Sequence, residues 1–225
     1  MAMIVFDLDD TLYLERDFAF SGYRYLDGWM KEREGLKGFG NACRKVFEDG
    51  ERRQVFNRAL ESLGHSGDGN LIPDLVAAYR GHPPQISLAP DAARYLERRR
   101  GPFGLITDGP AAMQNAKIIA LGLDRWIRNI RKTGDWPQGY GKPHPRACEE
   151  MEGLAADGGP MVYIADNPAK DFVTPKARGW ITVQIRRTGA VHSPHPKDDA
   201  HAAHVELSSL DELDAALKVQ MQSVK

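Results

Sequence analysis

The chain has 225 residues, 42% of them hydrophobic and 27% charged, with a formal net charge of −1. That length supports one large core, or a core with a small accessory domain, and the balanced charge gives no electrostatic reason to expect nucleic acid or a membrane surface as partner. No apolar run approaches the roughly 18 residues of a transmembrane helix, and no basic n-region precedes the first apolar segment. The two cysteines, Cys43 and Cys148, show no C-x-x-C spacing. Free thiols and a cytoplasmic location are expected.

Met3-Ile4-Val5-Phe6 is predicted as a buried strand. It ends abruptly in Asp7-Leu8-Asp9-Asp10-Thr11-Leu12. Strand alternation sends Asp7 and Asp9 to one side and Asp10 to the other. Two carboxylates side by side repel, and at least one pKa must rise. A fold tolerates the pair if a cation sits between them or if one stays protonated to act as an acid. Asp10 is expected to be structural, bonding nearby backbone. From about residue 16 to about residue 80 the pattern is helical only. Phe18, Tyr23, Leu26 and Met30 recur at helical spacing, as do Val46, Val55, Phe56 and Leu60. A polar break covers 64–69, another apolar helix runs over 71–79, and Pro83-Pro84 closes the block.

From about residue 86 strands return. Pro90-Asp91 opens a helix, residues 103–106 are a short buried strand, and 111–121 a helix ending near Gly122. A weaker strand is predicted over 127–131, a helix from Pro145, a strand over 161–164, a helix over about 169–178 stopping before Gly179, a strand over 180–185, and a last helix from Ser208/Ser209 to about Leu217. Strands alternating with helices predict an α/β fold with a doubly wound parallel sheet. Residues 1–14 and 86–225 make the core. Residues 15–85 are too long for a loop and are expected to form an inserted all-helical domain. Ligands of such sheets bind at the carboxyl ends of strands; Asp7/Asp9, Thr107 and Asp166 all follow strand ends.

Four segments in this order resemble the motifs of the haloacid dehalogenase (HAD) superfamily, phosphatase branch: Asp7-Leu8-Asp9-Asp10-Thr11; Thr107 after Leu105-Ile106; Lys142 in Gly141-Lys142-Pro143; and Asp166-Asn167-Pro168-Ala169-Lys170-Asp171. The insertion lies where the superfamily places a C1-type helical cap on its Rossmann-like core. The resemblance implies Asp7 as nucleophile forming an aspartyl-phosphate and Asp9 as general acid/base with a raised pKa. Thr107, helped by the Asp108 backbone N–H, would bind a phosphate oxygen, and Lys142 would neutralise charge there. It further implies Mg²⁺ held by Asp7, the backbone carbonyl of Asp9, and Asp166. Asp171, one helical turn on from Asp166, would orient Lys142 or a metal-bound water. Ala165 stands where the family usually has Gly. Without a metal these carboxylates repel one another.

Arg16, at the junction with the insertion, is the first candidate for a substrate contact beyond the phosphate. Gln114 and Lys117, the runs Arg98–Arg100 and Arg186-Arg187, and the histidines 192, 195, 201 and 204 are read as surface or loop residues, with His144 a turn residue. Phe18, Phe20, Tyr23, Tyr25 and Trp29 are read mostly as core of the helical domain. The resulting expectation is a Mg²⁺-dependent phosphatase, monomer or homodimer, acting on a small-molecule phosphate ester such as a sugar, polyol or glycerol phosphate. Alternatives are a nucleotide 5′-monophosphatase, a phosphoglucomutase-like enzyme, and a catalytically silent scaffold of the same fold. Asp9 speaks against dehalogenation, because halide departure needs no acid.

Overall fold

The computed structural model describes residues 1–66, 69–155 and 158–223. The polar break expected over 64–69 therefore lies partly outside the described residues. The chain divides into two compact units, Met1–Arg16 with Ser87–Lys225, and Asp17–Ile86.

The first unit is built on β1 (Met3–Phe6), β2 (Phe103–Thr107), β3 (Asn129–Lys132), β4 (Met161–Ala165), β5 (Ile181–Ile185) and β6 (Val205–Leu207). They form one six-stranded sheet in the order β3-β2-β1-β4-β5-β6, parallel at every pairing, as the alternating pattern predicts. All four residues of β1 are buried, so both faces of the sheet are covered. On one face Met3 and Val5 join Met161, Tyr163 and Trp180, beneath Ala147, Cys148 and Met151 of α7 (Arg146–Glu152). On the other, Phe6 meets Phe103 and the Tyr95 ring of α5 (Pro90–Arg98). The predicted ends hold where glycine supplies a left-handed residue: α6 (Ala111–Ala120) is followed by Gly122 at φ 61°, and α8 (Val173–Ala177) by Gly179 at φ 77°.

Four elements differ from the sequence reading. The last helix, α9 (Leu213–Ser223), starts later, behind a 3-10 turn, Leu210–Glu212, and runs further than read. β3 starts two residues late because Ile127 is buried after a short 3-10 turn, Leu123–Arg125, while all of β3 itself is only half-buried at the sheet edge. α8 is shorter than expected at its start. Asn167 Oδ1 accepts from the Ala169 N–H (3.0 Å) and Asp171 Oδ2 from the Asn167 N–H (3.0 Å). Side chains thus satisfy the backbone of 167–171 as a turn rather than a helix, and Asp171 sits on that turn. The edge strand β6 went unread in the histidine-rich segment. It is three residues long, and its approach is pinned where the His204 N–H donates to the Thr182 carbonyl at 3.0 Å.

Arg187 is not the solvated residue expected of a basic pair. Its guanidinium donates to the Thr11 carbonyl and to Asp91 Oδ1, each at 2.8 Å. Both side chains of the Arg187–Asp91 pair are 9% exposed, and Asp91 also accepts from the Leu210 N–H. This pair fastens the turn after β1 to α5 and to the segment leaving β5.

The second unit holds α1 (Glu15–Glu34, which begins two residues earlier, in the first unit), α2 (Phe39–Glu48), α3 (Val55–Ser62) and α4 (Leu71–Gly81). Phe18, Tyr23, Leu26 and Met30 are buried, as their spacing requires, whereas Tyr25 is exposed. Tyr23, Phe47, Phe56 and Tyr79 pack ring to ring. Gly40 allows α2 to approach α1, since a Cβ there would lie 2.4 Å from the Tyr23 carbonyl oxygen.

Asp91→Ala leaves a buried guanidinium unpaired and the Leu210 N–H without its acceptor. It is expected to destabilise the protein by about 3–5 kcal/mol in urea unfolding; a loss below about 1 kcal/mol would place the pair among ordinary surface bridges.

Candidate active site

The pairing of β1 with β4 brings the first two carboxylates together. Phe6 is in register with Ile164, and the Asp7 N–H continues the ladder to the Ile164 carbonyl at 2.8 Å. Asp7 and Asp166 therefore leave adjacent strands side by side. One oxygen each of Asp7, Asp166 and Asp171 lies within 4.8 Å of the other two, all three residues being buried. Lys142 Nζ sits between two of them, 2.8 Å from Asp7 Oδ1 and 2.7 Å from Asp171 Oδ1, and 3.1 Å from the Tyr163 hydroxyl. Burial opposes the Lys142 charge, yet Asp171 and Asp7 outweigh it and hold the ammonium well above its ordinary pKa.

Burial pushes the Asp7 carboxyl up to about 6 against the pull of Lys142. Asp166 rises to about 9 through burial and the charges of Asp7 and Asp171, and its Oδ2 is buried without a hydrogen-bond partner. An orphaned buried oxygen in a crowd of carboxylates is a donor set that fits a hard divalent cation. Asp171 is the least available of the three, because Lys142 and the Asn167 N–H engage its oxygens.

Asp9 departs from expectation. Burial alone raises its pKa, but Lys117 and three hydrogen bonds outweigh burial and hold it below the ordinary carboxylate value. Lys117 Nζ donates to Oδ1 at 2.7 Å, Gln114 Nε2 to Oδ2 at 2.9 Å, and the Tyr13 hydroxyl to Oδ1. The sequence reading placed Gln114 and Lys117 on a surface; they are 0% and 2% exposed. Their spacing of three puts both on one helical face, and α6 turns that face inward. A lysine three residues beyond a glutamine in the helix that follows a strand-end threonine was the available signal. Lys117 pairs with Asp9, which Lys142 does not reach.

Thr107 ends β2, fully buried, and its hydroxyl accepts from Gln114 Nε2. It is no helix cap: α6 begins at Ala111 with no side-chain capping bond. Asp108 Oδ1 accepts from the Thr133 hydroxyl (2.8 Å) and the Lys142 N–H (3.1 Å), and its Oδ2 from Lys170 Nζ (2.8 Å). Asp108 thereby anchors the lysine loop, and Lys142 and Lys170 overcome burial to keep it ionised. Gly134 lets the loops cross, since a Cβ there would stand 2.1 Å from the Gly109 carbonyl oxygen.

Asp10 engages other backbone, placed by a turn beyond the end of β1 rather than by strand alternation. Its Oδ1 accepts from the Glu15 N–H (2.8 Å) and its Oδ2 from the Val191 N–H (2.6 Å). Its φ of 51° is left-handed, which aspartate tolerates better than most residues. Arg16 is half-buried and packs its guanidinium against the backbone of Gly189. The His144 ring accepts from the Arg146 N–H and packs on Tyr140, a turn role. Among the described residues no group of histidines gathers at metal-ligand distance.

A family model described as haloacid dehalogenase-like hydrolase matches residues 1–177. The chain belongs to that family. This HAD-like hydrolase is 29% identical over 206 residues to a glyceraldehyde 3-phosphate phosphatase of Methanocaldococcus jannaschii, with 81% of this chain and 83% of the relative covered. Its fold is similar to that of the HAD-hydrolase YfnB of Bacillus subtilis, solved bound to magnesium (TM-score 0.66, 17% identity, 96% and 98% of the two chains). It is similar also to L-2-haloacid dehalogenase of Xanthobacter autotrophicus (TM-score 0.61, 18% identity, 96% and 98%).

The raised carboxyls give the HAD core a pH signature. Above about pH 4 the folded state keeps protons that the unfolded chain has lost, on Asp7 up to about pH 6 and on Asp166 up to about pH 9, so stability falls as pH rises. In chelator, the melting temperature is expected to drop from pH 5 to pH 9 by about a few degrees, and a saturating divalent cation to flatten that slope. A melting temperature that climbs over the range would contradict the carboxylate crowding.

Proposed function

We propose that this hydrolase is a Mg²⁺-dependent phosphatase of a small sugar, polyol or glycerol phosphate, acting through an aspartyl-phosphate on Asp7. The observation that carries the proposal is the second carboxylate, Asp9, two residues beyond the Lys142-paired Asp7 and gripped by Lys117, Gln114 and Tyr13. An alkoxide leaving group needs a proton; a halide does not. The curated relative's name, a phosphatase of a three-carbon sugar phosphate, supports the same reading.

Asp7, the Asp9 backbone carbonyl and Asp166 would hold Mg²⁺, which when bound offsets the repulsion among the carboxylates and the phosphate. Thr107 and Lys142 would hold the non-bridging oxygens. An Asp7 oxygen attacks phosphorus in line, and the bond from phosphorus to the substrate oxygen breaks. That oxygen keeps the electron pair and takes the proton of Asp9, giving the alcohol and an acyl phosphate on Asp7. Water then attacks phosphorus and gives a proton to Asp9, and the bond to Asp7 breaks to release phosphate. The carboxylate form favoured by the three donors serves this second step. The first step uses the protonated form, which the negative charge of an incoming phosphate favours.

The helical unit, Asp17–Ile86, is read as the C1-type cap that selects the leaving group. Tyr23, Phe47, Phe56 and Tyr79 pack on one another, with Tyr23 5% and Phe47 8% exposed, and that leaves Tyr25 rather than a cluster of rings exposed, which supports a small polar substrate over a nucleotide needing a stacking platform. The free, buried Cys43 and Cys148 fit a reducing cytoplasm.

Asp7→Asn is expected to lower turnover of an aryl phosphate by about 10³-fold or more while leaving a folded protein. Activity near wild type would refute the covalent route. Chelation is expected to abolish turnover and Mg²⁺ to restore it; a rate indifferent to chelator would refute the metal assignment.

A further inference from the structure

We propose that Gln114 and Lys117 are positioning residues that fix Thr107 and Asp9 as one unit, so that a single face of α6 sets both the phosphate contact and the delivery of a proton to the leaving group. The inference rests on the phosphatase reading and deepens it. Lys117 Nζ holds Asp9 Oδ1 at 2.7 Å and Gln114 Nε2 holds Oδ2 at 2.9 Å. With both oxygens tied to side chains 2% or less exposed, the carboxyl plane cannot turn. The amide nitrogen must face Asp9, since a flipped amide would set its oxygen against a carboxylate. That orientation also aims an N–H at Thr107 Oγ1. The threonine accepts there, and its own O–H is left to donate elsewhere, toward an anion at the end of β2.

The arrangement is a poor one for stability alone. Gln114 Oε1 is buried with no hydrogen-bond partner, a desolvation cost that an apolar residue would avoid. Lys117 is buried against Asp9 with the attendant desolvation of both charges. A fold selected only for stability would fill this face of α6 with apolar side chains. What the polar pair provides is a fixed direction for two groups that would otherwise rotate.

The test compares an aryl phosphate with an acidic leaving group, p-nitrophenyl phosphate, against an alkyl phosphate, glycerol 3-phosphate, because only the second needs the acid. Lys117→Met is expected to lower kcat for the alkyl ester by about tenfold more than for the aryl ester with KM little changed, and Lys117→Arg to recover part of the loss. Gln114→Leu is expected to show the same split in kcat and also to raise KM for both esters, since it releases the Thr107 hydroxyl. In an Asp9→Asn background, adding Lys117→Met should change the rate by no more than about threefold, because the lysine acts through Asp9. Equal losses on both esters, or full additivity with Asp9→Asn, would make the pair merely structural and overturn the inference. If Lys117→Met fails to fold by circular dichroism, Lys117→Arg and Gln114→Leu carry the same comparison. A wild-type enzyme inactive on every phosphate ester would overturn the phosphatase reading itself. That outcome is distinct from an active wild type whose variants lose both activities alike.

Discussion

Parallel pairing of β1 with β4 is the constraint on which the site depends. It forces two aspartates off neighbouring strand ends with nowhere to separate, and Asp171 is folded back beside them by the turn over 167–171. Like charges at that spacing in a buried place are unfavourable, so the rest of the site can be understood as compensation. Lys142 reaches two of the carboxylates, and the deficit that remains falls on the Asp166 oxygen, which has no partner and which a cation would fit.

A second compensation runs in parallel on the other side of β1. Asp9 has its own lysine, amide and phenol, and Asp108 has Lys170 and the Thr133 hydroxyl. Asp7 and Asp171 share Lys142, whereas Asp9 and Asp108 each have a lysine of their own from another element. This separation lets neighbouring aspartates differ in protonation: burial dominates at Asp7 and Asp166, while donors dominate at Asp9. Such differences are what the proposed division into attack, proton exchange and cation binding would require of residues of one chemical type.

Much of this was legible beforehand because it is local. A strand ending in Asp7, or a proline opening α5, is written in consecutive residues. The inward pair Gln114 and Lys117 was not legible, because three-residue spacing marks a helical face without saying whether it meets solvent or a buried charge. Asp9 was expected to have a raised pKa from its proximity to Asp7, and that failed for the same reason: its donors come from elsewhere in the chain. Arg187 read as one of a basic pair, yet its acceptors, Thr11 and Asp91, lie far away in sequence. The edge strand β6 escaped because three residues give too short a pattern to register against a polar background.

The left-handed backbone at Asp10 separates the three acidic residues of the first motif in a way that a mutational scan would display. Under the proposed mechanism, replacements at Asp7 and Asp9 would remove chemistry from a chain that still accumulates. Replacements at Asp10 remove two backbone acceptors and ask most side chains to adopt an unfavourable torsion, so their deficit would appear as poor soluble yield. In a survey scored by abundance and by turnover separately, adjacent positions bearing the same residue would fall on different axes, with asparagine and glycine the mildest changes at position 10.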